Sequence, residues 1–172
     1  MTTGLDHLWA GWRSAYIEQA TAADEAQAGA PPCVLCRVIA PGRDDRDSFV
    51  VWRGGAAVAV LNAYPYTSGH LMVLPARHVA ELEDLEAGEA AELWDGVRRA
   101  VVAIKGAYRP GGLNVGANLG RAGGAGVPGH LHVHVLPRWD GDTNFMTTVA
   151  EARVLPEPLD ATWAKVRAAW PA

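Results

Sequence analysis

The spacing of apolar residues along the chain predicts three helices. Residues 5–20 and 79–106 carry apolar side chains at intervals of three and four, which is the period of a helix that buries one face. In the longer stretch the regular spacing is interrupted at Gly88, so we expect the main helix to begin near Glu86. Residues 159–169 predict a further short helix.

Short apolar runs bounded by turn residues predict the strands of a sheet. Two of these runs form a hairpin whose turn falls at Gly54–Gly55, and residues 37–40 are a candidate for a further short strand. The order of elements is helix, strands, long helix, strands, helix, which is typical of an α+β fold with an antiparallel sheet. The longer runs occupy residues 48–55, 56–65, 68–78, 112–118 and 130–137.

Composition limits the classes of protein to which the chain can belong. With 172 residues, 49% hydrophobic content and 20% charged content, the sequence predicts one soluble globular domain over residues 1–172, with an N-terminal helix and a C-terminal extension. The net charge of −4 argues against a nucleic-acid partner, which usually requires a strongly basic surface. Residues 54–76 lack Asp, Glu, Lys and Arg, but a polar turn in their middle argues against a membrane span. Since no targeting signal is visible, we expect a cytoplasmic protein.

Three of the six histidines stand at alternate positions in the run His-Leu-His-Val-His-Val, at residues 130–135. Because successive side chains of a strand point to opposite faces, we expect His130, His132 and His134 on one face. Three interpretations exist: buried histidines bonded to carbonyls, a metal site, or nucleophilic catalysis. Neighbours on one strand face lie roughly 6.5–7 Å apart, too far for all three to reach one tetrahedral zinc without bending the strand. Catalysis by His132 is favoured, because neutral imidazole attacks phosphorus well near neutral pH.

A glycine-rich segment, residues 120–129, comes directly before the histidines. Glycine permits close backbone approach and left-handed conformations, so that successive N–H groups can converge on an anion. Alone, such a segment is more often a flexible loop, but beside the histidines it predicts a phosphate-binding loop with nearby polar partners. The candidate residues are Asn118, Gly120, Arg121, Gly126 and Gly129.

Cys33 and Cys36 are the only two cysteines, too few for the disulfide framework of a small secreted protein. A Cys-x-x-Cys pair alone fits a redox pair, half of a zinc site, or two small buried side chains. The redox interpretation lacks the strand-to-helix context that such pairs require, and a zinc ion needs two further ligands.

The run HLHVHVLPRW, preceded by the glycine-rich segment and by SGHLMVLPARH, resembles the histidine triad family of nucleotide hydrolases and transferases. The resemblance covers roughly residues 33–139. It implies a homodimer and the family's fold, an antiparallel sheet of about five strands with the long helix packed across it. It also implies that His132 is the nucleophile that forms a nucleotidyl intermediate, and that His134 bonds the substrate phosphate or the leaving group. By the same resemblance, His70 supports the site from the neighbouring strand and Asn62 contacts the nucleoside ribose.

Within that family, the flanking residues most resemble the bacterial diadenosine tetraphosphate phosphorylases. The shared stretches are LWAGWRSAYI, NVGANLGRAGGAG and RWDGDTNFM. This branch implies a dinucleoside polyphosphate or adenine nucleotide substrate, inorganic phosphate as acceptor, release of ADP and ATP, and no organic cofactor. Sibling enzymes hydrolyse dinucleoside polyphosphates or nucleoside phosphoramidates and release AMP. A non-catalytic nucleotide-binding module and a metal-dependent hydrolase are further alternatives.

The chain departs from many relatives at Gly126–Gly129, where a serine or threonine hydroxyl often faces the phosphate. No side chain here can take that role, because the segment is Gly-Val-Pro-Gly. We therefore expect the phosphate contacts of this segment to come from backbone N–H groups.

The zinc-binding branch of the family supplies the two ligands that the cysteine pair lacks. It takes them from a histidine after the third strand and from the first histidine of the triad, which are His78 and His130 here. The resemblance thus implies a structural zinc bound by Cys33, Cys36, His78 and His130. Such a zinc would tie the N-terminal segment to the histidine strand and fix the position of His132.

Overall fold

A computed structural model describes residues 33–142 and 157–171 of the chain. The strands are β1 (Val50–Arg53), β2 (Ala57–Leu61), β3 (Leu71–Pro75), β4 (Gly112–Ala117) and β5 (Val133–Arg138). The helices are α1 (Val34–Ile39), α2 (Ala87–Tyr108) and α3 (Leu159–Ala168), with a 3-10 turn at Leu82–Asp84. The helix predicted at residues 5–20 lies outside the described residues, so the single domain over residues 1–172 stays a prediction.

The five strands form one antiparallel sheet in the order β1-β2-β3-β5-β4. β1 and β2 are the predicted hairpin, closed by a hydrogen bond from the Gly54 N–H to the Ala57 carbonyl. The chain leaves β3, crosses the sheet through α2 and returns, so that β5 lies between β3 and β4. This insertion brings His134 of β5 opposite Met72 of β3. The predicted α+β class is confirmed.

Both faces of the sheet are covered, because β2 and β3 are buried along their whole length. This explains why their sequences are continuous apolar runs and not alternating ones. On one face, side chains of α2 and α3 pack on alternate strand residues; this core includes Leu71, Val73, Leu93, Ile104, Val133, Val135 and Val166. On the other face α1 packs on the intervening residues; this smaller core includes Leu35, Ile39, Val58, Val60, Met72 and Leu74.

The start of α2 matches the sequence prediction. Glu86 is the N-cap, and it forms a reciprocal capping box with Glu89, in which each side chain accepts the other's backbone N–H. Arg77 donates two hydrogen bonds to the Glu89 carboxylate. These donors, the Arg77 guanidinium first and the Glu86 backbone next, lower the pKa of Glu89 to about 2. The carboxylate therefore stays charged and holds the beginning of the helix beside the residues that follow β3.

The short strand predicted at residues 37–40 is wrong, because residues 37–39 belong to α1 and Ala40 is its C-cap. Leu35 and Ile39, four residues apart, are both buried, and that spacing fits a helix. A window of four residues was too short to distinguish a helical period from an extended one. Arg53 donates to the carbonyl of Ile39 at the end of α1 and to the carboxylate of Asp45. This guanidinium stabilises the helix end, where the carbonyls lack partners.

The two outer strands of the sheet have different surroundings. Trp163 and Arg167 of α3 donate hydrogen bonds to the carbonyls of Val50 and Val51 in β1. In β4, the residues from Asn114 onward are exposed. Within the described residues, side chains of α3 therefore bond to the edge strand β1, whereas most of the edge strand β4 is exposed to solvent.

The membrane prediction can be compared with the helices of the described part. Within residues 33–142 and 157–171, no helix is both long enough and apolar enough to cross a lipid bilayer.

Candidate active site

The histidine strand is shorter than predicted. β5 begins at Val133, so His134 lies in the strand while His130 and His132 precede it. Continuing the pairing of β3 with β5 would put Pro75 opposite Leu131, and proline has no N–H to donate to the ladder. The Leu131 N–H bonds instead to the Val79 carbonyl, beyond the end of β3. The row of histidines therefore divides into two groups. His130 lies beside the two cysteines and His78, whereas His134 lies beside His70.

The hydrogen bond of His132 fixes which of its ring nitrogens has a free lone pair. Nδ1 lies 2.8 Å from the carbonyl oxygen of His130. Because a carbonyl can only accept, Nδ1 carries the proton, and Nε2 keeps its lone pair. The side chain is only 5% exposed, so the ring is held in this orientation by its surroundings.

His70 and His134 form a bonded pair beside His132. His70 Nε2 lies 2.9 Å from His134 Nδ1. His70 Nδ1 accepts the backbone N–H of Tyr66 at 3.2 Å and faces the side-chain Nδ2 of Asn62 at 3.4 Å. Since donors meet Nδ1, the proton of the neutral His70 ring is on Nε2 and is donated to His134. His134 then carries its own proton on Nε2, the opposite arrangement to His132.

Burial keeps the His134 ring neutral. Desolvation first, and then repulsion from a charge on His132, lower the pKa of His134 to about 4. The rings of His132 and His134 lie edge to face, with centroids 4.9 Å apart. The site thus presents a lone pair on one imidazole and an N–H on its neighbour.

The loop that carries His70 depends on a glycine. Gly69 has a φ of +83°, and a Cβ at this position would lie 2.9 Å from Tyr108 Cε2 and 3.2 Å from Ile104 Cδ1. The position therefore requires glycine for both its conformation and its packing. Thr67 donates to the carbonyl of Pro137 in β5, which ties the loop to the strand that carries His134.

The glycine-rich loop connects β4 to His130, as predicted, but some of its polar groups bond within the chain. Asn118 Nδ2 donates to the Gly124 carbonyl at 3.2 Å, and the Gly124 N–H donates to the Arg121 carbonyl. Gly120 has a φ of +65°, so a side chain there would be strained. The exposed loop also contains Gly126 and Gly129. The phosphate-binding roles of these residues stay predictions.

Two further side chains belong to this region. Arg138 of β5 bonds through its guanidinium to Asp142 and Asn114. Tyr66 was absent from the predicted site, yet its ring lies 4.7 Å from the ring of His70, measured between centroids. A lone aromatic residue in a turn carries no periodic or motif signal, so the sequence offered no reason to select it.

The four predicted zinc ligands do meet. The nitrogen and sulfur ligand atoms of Cys33, Cys36, His78 and His130 all lie within 4.8 Å of one another. His130 Nδ1 is 3.6 Å from Cys33 Sγ and 3.4 Å from Cys36 Sγ, while Cys36 Sγ is 3.3 Å from His78 Nδ1. Cys33 is the N-cap of α1 and Cys36 lies within its first turn, so a single helical turn aligns both sulfurs.

The chemistry of this cluster fits zinc. His130 Nε2 lies 2.9 Å from the Pro75 carbonyl, so Nε2 donates and Nδ1 turns its lone pair toward the sulfurs. Burial, and then repulsion by Cys33, raise the pKa of the Cys36 thiol. A divalent cation between the sulfurs would reverse that repulsion and favour both thiolates. Two thiolates with two imidazoles are a set that can hold a tetrahedral zinc.

Comparisons with known proteins agree with this fold and site. Residues 43–141 match the family model of the HIT domain, and the chain belongs to this family of histidine triad proteins. It is 43% identical over 166 residues to an AP-4-A phosphorylase of Mycobacterium tuberculosis, covering 96% of this chain and 85% of the relative. The predicted family is therefore confirmed.

Solved structures give the same result. A histidine triad nucleotide-binding protein from Sulfolobus tokodaii, described as hypothetical, matches with a TM-score of 0.65 and 28% identity, over 80% of this chain and 91% of the other. A zinc-bound histidine triad family protein from Mycobacterium smegmatis matches with a TM-score of 0.64 and 26% identity, over 80% and 92%. The predicted HIT-like fold, five antiparallel strands with a long helix packed across them, is confirmed.

Proposed function

We propose that the protein is a diadenosine tetraphosphate phosphorylase that works through a nucleotidyl-histidine intermediate. The AP-4-A phosphorylase at 43% identity supports the substrate and the acceptor. The observation that carries the mechanism is the hydrogen-bond partners of two adjacent imidazoles, from which we assign a lone pair to His132 Nε2 and an N–H to His134 Nε2. An acyl or phosphoryl transfer through a covalent intermediate needs this combination of a nucleophile and a donor.

The reaction has two displacements at the α-phosphorus. His132 Nε2 attacks the α-phosphorus and a P–N bond forms. The P–O bond between this phosphorus and the remaining polyphosphate breaks, which releases ATP. His134 Nε2–H donates a hydrogen bond to the oxygen that develops negative charge. Inorganic phosphate then attacks the same phosphorus, the P–N bond breaks, ADP leaves, and His132 regains its lone pair.

The substrate contacts follow from the residues around the two imidazoles. We assign the ribose contact to Asn62, which stands next to the site with its Nδ2 facing His70. Backbone N–H groups of the glycine-rich loop, including those of Gly120, Gly126 and Gly129, donate hydrogen bonds to the phosphate oxygens. Asn118 and Arg121 are polar partners next to these N–H groups. His70 holds His134 in place.

We propose that a structural zinc occupies the Cys33, Cys36, His78 and His130 cluster. The zinc-bound relative from Mycobacterium smegmatis supports the metal, and the donor set of this chain fits it. When bound, the ion supplies a fixed tetrahedral cross-link and no acid–base chemistry. The residues themselves do the rest: the carbonyl of His130 orients His132, and the ring of His130 is anchored on Pro75.

The choice of acceptor is tested by product analysis. With diadenosine tetraphosphate and inorganic phosphate, we expect ADP and ATP in equal amounts, and ¹⁸O-labelled phosphate should carry its label into the ADP. Without phosphate, turnover should fall steeply, because the intermediate lacks its acceptor. AMP as the product under both conditions would make the protein a hydrolase, and tight nucleotide binding without any product would make it a binding module.

We propose further that the protein forms a homodimer through β4. The strand is an outer strand of the sheet, it contains no charged residue or proline, and its last four residues are exposed. Outer strands of monomers are usually protected by charge, proline or a covering segment. A second copy of the same strand would satisfy its backbone groups.

A cytoplasmic location stays a prediction of the sequence.

The dimer is tested by Val115→Asp, which places a carboxylate on the exposed strand. Light scattering should give the mass of two chains for the parent protein and of one chain for the variant. Leu82→Asp is the matched control, since Leu82 has a similar exposure of 42% against 43% but lies in the 3-10 turn. A parent protein with the mass of one chain would contradict the proposal.

A further inference from the structure

The ring of Tyr66 covers the two imidazoles that are bonded to each other. Its centroid lies 4.7 Å from that of His70 and 6.3 Å from that of His134. Tyr66 is 46% exposed, His70 is 1% exposed and His134 is partly buried. The tyrosine therefore lies between His70 and the solvent, and its ring also lies beside that of His134.

The backbone of the same residue fixes the proton positions of the pair. The Tyr66 N–H points at His70 Nδ1, so the neutral ring must keep its proton on Nε2 and give it to His134 Nδ1. If His134 gained a second proton on Nδ1, two N–H groups would face each other at a separation of 2.9 Å. His70 cannot relieve this contact by moving its proton to Nδ1, because the Tyr66 N–H and the Asn62 amide already face that nitrogen.

The loop holds Tyr66 in this position independently of its side chain. Thr67 bonds to the Pro137 carbonyl, the His70 N–H bonds to the Thr67 carbonyl, and Gly69 supplies the left-handed conformation. These contacts remain when the ring of Tyr66 is removed. The ring can therefore be tested without removing the N–H.

We propose that Tyr66 is a positioning residue, whose ring excludes water from the His70–His134 pair and whose N–H sets the tautomer that aims His134 Nε2–H at the substrate. The inference rests on the proposed function for its catalytic meaning, because only a transfer reaction uses that N–H. The arrangement of protons itself exists in the free protein.

The residues around His134 indicate that Tyr66 acts on it by excluding water and not through a nearby charge. The residues paired with it on the adjacent strands are Met72 and Gly116, neither of which is charged. Its titratable neighbours are His132, two residues earlier in the chain, and His70, which directly precedes the adjacent strand β3. Arg138, further along β5, is paired with Asp142. Water access is thus the property that a change at Tyr66 alters most.

The test is a histidine titration of the free protein by ¹⁵N NMR, on Tyr66→Ala, Tyr66→Phe and the parent. The nitrogen shifts of the parent should report His134 with its proton on Nε2 and no titration above pH 5. In Tyr66→Ala the pair becomes hydrated, which favours the charged form, so the pKa of His134 should rise by about one unit. Tyr66→Phe keeps the ring and should titrate like the parent.

Tyr64→Ala is the matched control. Tyr64 lies two residues away in the same loop and is 86% exposed, and no ring contact with a histidine involves it among the described residues. Its removal should leave the titration unchanged. Should Tyr66→Ala fail to fold, Tyr66→Val removes the ring but keeps an apolar stub, and the pKa should rise by a smaller amount.

Kinetics give a second measurement. The acid limb of the kcat profile should move upward by the same unit in Tyr66→Ala, because protonation of His134 Nδ1 breaks its bond with His70. An unchanged His134 titration in Tyr66→Ala, or a Phe variant that behaves like Ala, would overturn the proposal. Because the NMR result needs no turnover, it stands even when the protein proves not to be a phosphorylase.

Discussion

Replacing His132 with alanine should reduce phosphorolysis of diadenosine tetraphosphate by at least about a thousandfold. In the proposed mechanism Nε2 of this ring forms the P–N bond, whereas the other imidazole bonded to His134, that of His70, uses its lone pair to accept the Tyr66 N–H. Steady-state product formation measures the loss. A second measurement is the acid-labile radiolabel that remains on the protein after mixing with α-labelled substrate. The parent should retain label and the variant none.

A matched variant separates the chemistry from the structure. His132→Asn keeps a side-chain N–H that can donate to the His130 carbonyl, as Nδ1 does in the parent at 2.8 Å. Its melting temperature should stay close to that of the parent, yet it should be as inactive as alanine. Activity at even roughly a tenth of the parent in either variant would remove His132 as the covalent nucleophile.

Replacing both Cys33 and Cys36 with serine should remove bound zinc and lower the melting temperature by on the order of 10 °C. The two sulfurs join α1 to the segment before β5, and without them His130 loses the partners of its Nδ1. Elemental analysis should find about one zinc per chain in the parent and none in the variant. The melting temperature is read by circular dichroism, which needs no substrate.

Val34→Ser is the control for this substitution. Val34 lies between the two cysteines in α1 and is 43% exposed, so its replacement alters the helix without removing a ligand. We expect unchanged zinc content and a shift of melting temperature of no more than about 3 °C. A parent protein that is fully folded without metal, even after zinc is supplied, would assign the cysteines to packing alone.

The long periodic elements could be predicted from the sequence because each of them repeats its signal many times. The 22 residues of α2 and the capping by Glu86 are such a case. So is the hairpin of β1 and β2, since two glycines mark its turn. The segment at residues 37–40 could not be predicted, because four residues cover barely one helical turn. Its identity depends on burial of Leu35 and Ile39 against the sheet.

The candidate site shows the same division between residues that repeat a motif and residues that meet only in the fold. The four candidate zinc ligands and the His132–His134 pair were selected by motif resemblance, and within each of these two groups the side chains lie close together. β5 begins only at Val133, because a longer ladder would put Pro75 opposite Leu131, and this juxtaposition arises only once β5 lies beside β3. Contacts of this kind between distant segments leave no period in the sequence. Tyr66 lies only four residues before His70, but the loop geometry that brings their rings to 4.7 Å carries no periodic or motif signal either.

The unequal outer strands of the sheet determine how far association can proceed. α3 satisfies two carbonyls of β1, while β4 has no such helix within the described residues. In the proposed dimer, β4 of one molecule pairs with β4 of its partner through a twofold axis, so association would end at two chains. Growth into filaments would need a second unpaired edge strand, and Trp163 and Arg167 of α3 oppose one at β1.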